Sequence, residues 1–211
     1  MAKLNHYIKC SSTIEFLSGF HIGGPKEKIG PGGIDNPVIR NPITQIPYIP
    51  GSSIKGRFRI ALELKYNDVT KERDGSGPSQ DLKNDSLVCK LFGSGSAQRN
   101  EEPTRLIFRD STPLEGYEAY TQGEEKIEVK IDRQKMSAFH GGVRIQERIP
   151  AGAKFGLEIT MRVFEGDDEE KFKKRLEEAR NIVELEFLGG SGSRGYGQAK
   201  IEKFEFNKIE I

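Results

Sequence analysis

Nine residues near the C-terminus, Gly189-Gly190-Ser191-Gly192-Ser193-Arg194-Gly195-Tyr196-Gly197, hold five glycines, two serines, an arginine and a tyrosine. Glycine at this density lets the chain take positive φ and leaves backbone N–H groups exposed. Such a nest can wrap a phosphate or a bent RNA backbone, and Arg194 can add charge-assisted bonds to it. No GK[ST] follows, so this is not a nucleotide-binding P-loop. The plainer reading is a flexible helix-to-strand turn, although a turn seldom needs so many glycines.

A second segment, Pro50 to Arg59, opens a helix with Gly51, Ser52 and Ser53. Either serine could cap it, and the backbone donors of a helix N-terminus favour anions. Lys55 and Arg59 share a face at i, i+4, which is either a solvated basic face or part of an RNA-binding surface. A third segment, Gly32-Gly33-Ile34-Asp35-Asn36-Pro37, sets one carboxylate on a glycine-supported turn; Asp and Asn also make such turns for purely local reasons. His21, between Gly19 and Gly23, could touch a phosphate or a base, or simply fill a turn. Between positions 130 and 144 stand Lys130, Arg133, Lys135 and Arg144 against one acid, Asp132, with Met136 and Phe139 among them. Cations interleaved with apolar side chains suit an element that grips a backbone and wedges bases. No catalytic triad, paired-carboxylate motif or HExxH is present.

The elements that must position these residues follow from periodicity. Residues 6–17 read as a strand, with Ile8, Cys10, Ile14 and Phe16 on one face, and Phe155 to Val163 alternate strictly. Leu106 and Phe108 mark a further strand at 104–110. Ile54, Phe58, Ala61 and Leu62 fall on one face of a helix, as do Phe172, Leu176, Ala179 and Val183 of a second helix over 168–184. A short helix is expected at 86–91, a protruding hairpin at 126–148 broken at His140-Gly141-Gly142, and a last strand at 198–207. Stripped of insertions, the order is βαββαβ, an α+β ferredoxin-like core of the kind RNA-recognition motifs use. The aromatic signature of those motifs is missing, and fold by itself assigns no function. With 211 residues, 24 glycines and 10 prolines, one elaborated domain spanning 1–211 is expected, with insertions near 19–50, 67–84 and 113–150. A thirty-residue stretch without periodicity, Gly19 to Gly51, is longer than an idle connection and points to function.

The net charge of +1 gives no support to nucleic-acid binding, but its distribution is uneven. Residues 1–70 hold nine Lys/Arg against five Asp/Glu, and residues 151–211 hold eleven against thirteen. A basic face on a neutral protein is therefore expected, with the acidic second helix turned to solvent or to a neighbour. Cys10 and Cys89 form no CxxC pair and read as buried thiols; with His6, His21 and His140 they make no recognisable zinc spacing. No apolar run approaches the ~18 residues of a membrane helix and no signal peptide is visible, so a cytoplasmic protein without membrane contact is expected.

The strings GFHIGG, GGIDNPVIRNPITQIPYIPGSSIKGRFR and LGGSGSRGYGQ together resemble the RAMP superfamily of CRISPR proteins. Within it the chain is most similar to the repeated backbone subunit of the type III-A (Csm) effector complex. The resemblance runs over nearly the whole chain and is most specific in the second string. It implies copies stacked in a filament along a CRISPR guide RNA, beside other subunits of the complex. It makes the hairpin a thumb that kinks the guide–target duplex at intervals. It also implies endonucleolytic cleavage of bound target RNA once per copy, with Mg²⁺ or another divalent metal. On this match Asp35 is the catalytic and metal-binding carboxylate. His21, Lys55 and the loop of Gly190, Ser191, Gly192, Ser193 and Arg194 contact the guide, beside Ser52 and Ser53. Arg59 extends that surface, and Arg133 of the arm is a further contact. The family often has Asp where this chain has Asn41, which leaves Asp35 as the loop's one carboxylate. Two other readings stay open. One is an inert RNA-binding filament subunit whose Asp35 only shapes a turn. The other is a solitary guide-processing ribonuclease, for which His21 and Tyr66 make an unconvincing acid–base pair.

Overall fold

The computed structural model describes residues 3–24, 34–72, 75–79, 86–94, 103–116, 118 and 122–210. Gly32 and Gly33 of the aspartate loop, and parts of all three expected insertions, lie outside the described residues.

Strand β1 (Leu4–Phe16) is the spine, because His6, Ile8, Cys10, Ile14 and Phe16 alternate inward and bury one face. After α1 (Gly51–Tyr66) come a short pair, β2 (Thr70–Glu72) and β3 (Gly75–Gly77), then α2 (Leu87–Phe92) and β4 (Leu106–Phe108). A ribbon of β5 (Glu124–Asp132) and β6 (Ser137–Arg148) leads to β7 (Lys154–Phe164), α3 (Glu169–Leu185), β8 (Ala199–Ile201) and β9 (Glu205–Glu210). The main sheet runs β4-β7-β1-β8, with β9 also paired to β1 and every pairing antiparallel. The expected final strand is thus two pieces. It breaks where Phe204 turns into the core, beside Phe58, and gives its N–H to Glu177 of α3.

Helices α1 and α3 bury Ile54, Phe58, Ala61, Leu62, Phe172, Leu176, Ala179 and Val183 in a core shared with the main sheet, as their 3.6-residue spacing requires. Helix α3 is capped by Asp168, which accepts the Lys171 N–H at 3.0 Å. Helix α1 departs from expectation: Pro50 occupies the N-cap position, and Ser52 and Ser53 lie inside the first turn without capping it. Asp110 supplies the missing acceptor by taking the Gly51 N–H at 2.7 Å. A side chain at position 51 would stand 2.7 Å from the Phe108 carbonyl, so only glycine lets the helix start that close to β4.

The long stretch after β1 is stitched rather than structureless where it is described. Phe20 pairs with Ile149, Gly23 with Val38, Arg40 with Pro47 and Ile49 with Ser111. Phe20, Ile22, Val38 and Ile49 enter the core. In the ribbon the reversal falls at 133–136, where Asp132 Oδ1 accepts the Gln134 and Lys135 N–H groups. The expected break at Gly141 is instead a bulge within β6: the register shifts between Val129 and Ile131, and Gly141 sits at φ +71°.

Arg105 and Asp167, 2% and 1% exposed, form a two-pronged pair at 2.8 and 3.1 Å, and Lys90 adds a third bond at 2.7 Å. Burial pushes the Asp167 carboxyl upward, but Arg105, Lys90 and the Phe164 N–H outweigh it and hold it below the ordinary value. A depressed carboxyl binds fewer protons folded than unfolded. Its stabilisation is therefore complete above the unfolded pKa of about 4 and is lost as pH falls through the folded value. Asp167→Ala strands two cations and should cost about 3–5 kcal/mol. Urea unfolding at pH 7 tests that loss, and repeating it below pH 4 should show the gap between variant and wild type narrowing.

Candidate nucleic-acid interface

Three segments far apart in sequence meet on the end of β6. Asp35 and Ile145 exchange two bonds: the Asp35 N–H donates to the Ile145 carbonyl at 3.0 Å, and the Ile145 N–H donates to Asp35 Oδ2 at 2.8 Å. One turn of the pleat further on, the Glu147 N–H donates to the Asn36 carbonyl at 3.1 Å. The buried Glu147 carboxylate takes the Val38 N–H at 2.8 Å and the Arg40 guanidinium. Its carbonyl accepts from His21 Nδ1 at 2.8 Å. A carbonyl can only accept, so the His21 proton sits on Nδ1; Nε2 is left to accept a hydroxyl proton, or to donate once the ring is cationic. The Asp35 side chain is partly exposed, and its Oδ1 has no partner among the described residues.

Asn41 lies outside this cluster. Its Oδ1 accepts the Ile43 and Thr44 N–H groups at 2.9 and 3.1 Å, so the side chain shapes its own turn. An aspartate there could make the same two bonds. The described residues contain no group of three or more His, Cys, Asp or Glu that could cage a metal ion. Asp35 offers one open oxygen, which fits a hydrated Mg²⁺ held by one carboxylate and by substrate phosphates, and does not fit a dedicated protein cage.

The glycine segment closes over the same place. The Gly190 N–H donates to the His21 carbonyl at 2.8 Å, and the Gly197 N–H to the Gly19 carbonyl at 3.1 Å. Positive φ at Gly189, Ser191, Gly195 and Gly197 bends the chain around a short 3-10 turn, Gly192–Arg194. The N–H groups of Ser191, Gly192 and Ser193 find no acceptor among the described residues, which makes three successive donors at a partly exposed bend. Tyr196 is buried, its hydroxyl lying 3.0 Å from Glu128 and 3.3 Å from Gln146 of the ribbon.

Sequence reading missed the residue that joins α1 to this loop. Arg57 donates to the Phe187 carbonyl at 2.7 Å, pairs with Glu186 and lies 4.0 Å over the Phe187 ring. Gly192 packs so close to that ring that a side chain there would overlap it. An arginine with an aromatic far along the chain carries no local signature, so nothing in the periodicity could have singled it out. The α1 face itself splits. Lys55 is half-buried without an ion-pair partner among the described residues, and burial, then Arg59, pull its pKa down. An anion beside it would relieve both effects. Arg59, expected to extend the surface, is spent internally: it pairs with Glu63 at 2.7 Å and donates to the Ser79 carbonyl at 2.9 Å. It anchors a buried network of Ser79, Asp68, Ser86 and Cys89 that ties α2 to α1. Arg133 sits exposed at the tip of the ribbon, apart from the cluster. Both cysteines are buried and free, and burial pushes the Cys10 thiol up to about 12, so it is no nucleophile. Among the described residues no helix is long and apolar enough to cross a membrane.

A family model described as the RAMP superfamily matches residues 13–200. A Methanocaldococcus jannaschii protein named CRISPR system Cms endoribonuclease Csm3 is 41% identical over 189 residues, covering 89% of this chain and 75% of that one. A Streptococcus thermophilus protein of the same name is 37% identical over 210 residues, covering 96% and 90%. Among solved structures, the Csm3-Csm4 subcomplex of the type III-A CRISPR-Cas interference complex matches with a TM-score of 0.60 at 25% identity, covering 99% of this chain and 82% of that one.

Two adjacent glycines separate strain from mere contact. A Cβ on Gly189, at φ +97°, would stand 2.6 Å from the His21 carbonyl, whereas one on Gly190 would find it at 3.6 Å. Gly189→Ala should therefore lose about 1–3 kcal/mol of stability while Gly190→Ala stays near wild type, as read from denaturant midpoints.

Proposed function

The chain belongs to the RAMP superfamily, and from that premise we propose that it is a guide-RNA-binding backbone subunit of a type III-A CRISPR effector complex that also cuts target RNA paired to the guide. The observation that carries this reading is the convergence of Asp35, His21 and the glycine segment on residues 145–147, with a basic helix start tied in through Arg57. Backbone donors, Lys55 and Arg194 suit a phosphate chain, and the open carboxylate oxygen of Asp35 on the β6 edge suits chemistry on a strand paired with it.

The core is a modified ferredoxin-like fold, a reading supported by the sheet order β4-β7-β1-β8/β9 with α1 and α3 in its crossovers. The β5–β6 ribbon is its thumb, and the whole chain is one domain carrying insertions. The subunit works in the cytoplasm, stacked on further copies of itself and next to other subunits of the complex.

In cleavage the target RNA supplies the nucleophile. Its 2′-hydroxyl gives up a proton to solvent as the 2′-oxygen bonds to the adjacent phosphorus, the bond from phosphorus to the 5′-oxygen breaks and that oxygen takes a proton from solvent, so the products end in a 2′,3′-cyclic phosphate and a 5′-hydroxyl. The protein holds the guide through His21, the glycine loop, Ser52, Ser53 and Lys55, with Arg133 of the thumb as a further contact, and the kink sets the paired target strand in line. Asp35 Oδ1 would hold a hydrated divalent ion, whose chemistry when bound is to neutralise charge building on the phosphoryl oxygens. Asp35 Oδ2 is occupied by the Ile145 N–H, which fixes the carboxylate's direction.

That same bond favours a second reading, an inert filament subunit in which Asp35 only shapes its loop. Target cleavage by the reconstituted complex separates the two. Regular cuts that vanish with Asp35→Ala and with EDTA, while target binding persists, are the expected result. Intact target with the wild-type subunit, or equal cutting by Asp35→Ala, would leave Asp35 as a loop-shaping residue.

A further inference from the structure

The two faces of the β5–β6 ribbon differ. Ile127, Val129, Ile131 and Val143 face away from the glycine loop and are exposed. Lys126, Glu128, Gln146 and Arg148 look onto it, around the buried Tyr196 ring. Glu128 is the one acid on that face that reaches the loop's cation. Its Oε2 lies 2.6 Å from Arg194 Nη1, and its Oε1 accepts the Tyr196 hydroxyl at 3.0 Å. Arg194 Nη2 donates in turn to Ser191 Oγ at 2.5 Å, so the guanidinium lies flat against the bend that carries the three open N–H groups.

A carboxylate and a phosphodiester are alternative ligands for one guanidinium fork. Arg194 stays 53% exposed despite its pairing, so an incoming strand can reach it, and an ion pair that open to solvent is weak enough to exchange. We propose that Glu128 is an internal stand-in for an RNA phosphate: it latches the ribbon onto the glycine loop, and a bound RNA strand expels it. The proposal rests on the reading of the loop as an RNA site. The exchange ties two parts of the molecule together. Beyond residues 145–149, which the stretch after β1 holds, the ribbon is a two-stranded element, and Glu128 spans from its middle to the loop. Expelling Glu128 frees the ribbon from Arg194 while Tyr196 can keep Gln146, so RNA at the loop loosens the arm. By linkage, anything that lifts the arm strengthens RNA at the loop by the same factor.

The test uses the full chain and a fluorescent oligouridylate, with affinity read by anisotropy at low salt. Glu128→Gln keeps the shape and a Tyr196 partner but loses the charge, and should bind about two- to fivefold more tightly than wild type. Glu125→Gln changes net charge equally on the ribbon's other face and should bind like wild type. Arg194→Ala should weaken binding, and adding Glu128→Gln to it should bring no gain, because the competitor has nothing left to compete for. Glu128→Gln binding no tighter than wild type, or gaining equally without Arg194, would overturn the latch. Arg194→Ala binding like wild type would instead overturn the loop as an RNA site, and the latch with it.

Discussion

The outward edge of β6 is the constraint on which the site depends. Residues 145–148 pair with β5 through one set of backbone groups, and the other set, with Ile149 just beyond, must find partners or face water. Those partners are Asp35, Asn36, His21 and Phe20, each taken from the stretch that follows β1. The edge therefore does two things. It is covered, as an exposed strand edge must be, and it lines up a carboxylate and an imidazole that the sequence separates by fourteen residues. Glu147 reinforces this from its side chain, by holding Val38 and Arg40.

Around that edge the protein divides its cations by burial. Arg105, Arg180 and Arg59 are drawn into the body, where each has acidic partners within hydrogen-bonding reach. Arg180 is also bonded to the Ile201 carbonyl and so ties α3 to β8. Lys55 and Arg194 stand where an anion can still reach them, one half-buried and without an ion-pair partner among the described residues, the other half-exposed beside the Glu128 carboxylate. A net charge of +1 is the balance of 33 Lys and Arg against 32 Asp and Glu, and it hides this second group.

Much of the fold was legible in the sequence. Alternation marked β1 loosely and β7 strictly, and helical spacing marked α1 and α3, because burial against one core enforces one period per element. The departures fall where local rules lose to distant ones. Ser52 and Ser53 have capping chemistry, yet Asp110 reaches the helix start first. The glycines at 141 and 142 look like a reversal, yet Asp132 makes the turn and leaves them as a bulge. Phe204 ends a strand that propensity would have continued, because the core between α1 and β9 has room for it.

The site's inventory is readable along the chain: a glycine-dense bend, a helix opening with small residues and a lysine, a lone loop aspartate, and a histidine between glycines. Composition and spacing are local properties, and they survive without a fold. Which of these residues meet is set by packing across the fold. Asp35 and His21 share a strand edge, Arg57 binds the glycine loop through Phe187, and Arg59 turns inward to Glu63 although it lies one helical turn from Lys55. Each outcome turns on a backbone group or buried partner more than a loop away, or on which way a long side chain finds its counter-charge. Neither is written in the neighbouring residues.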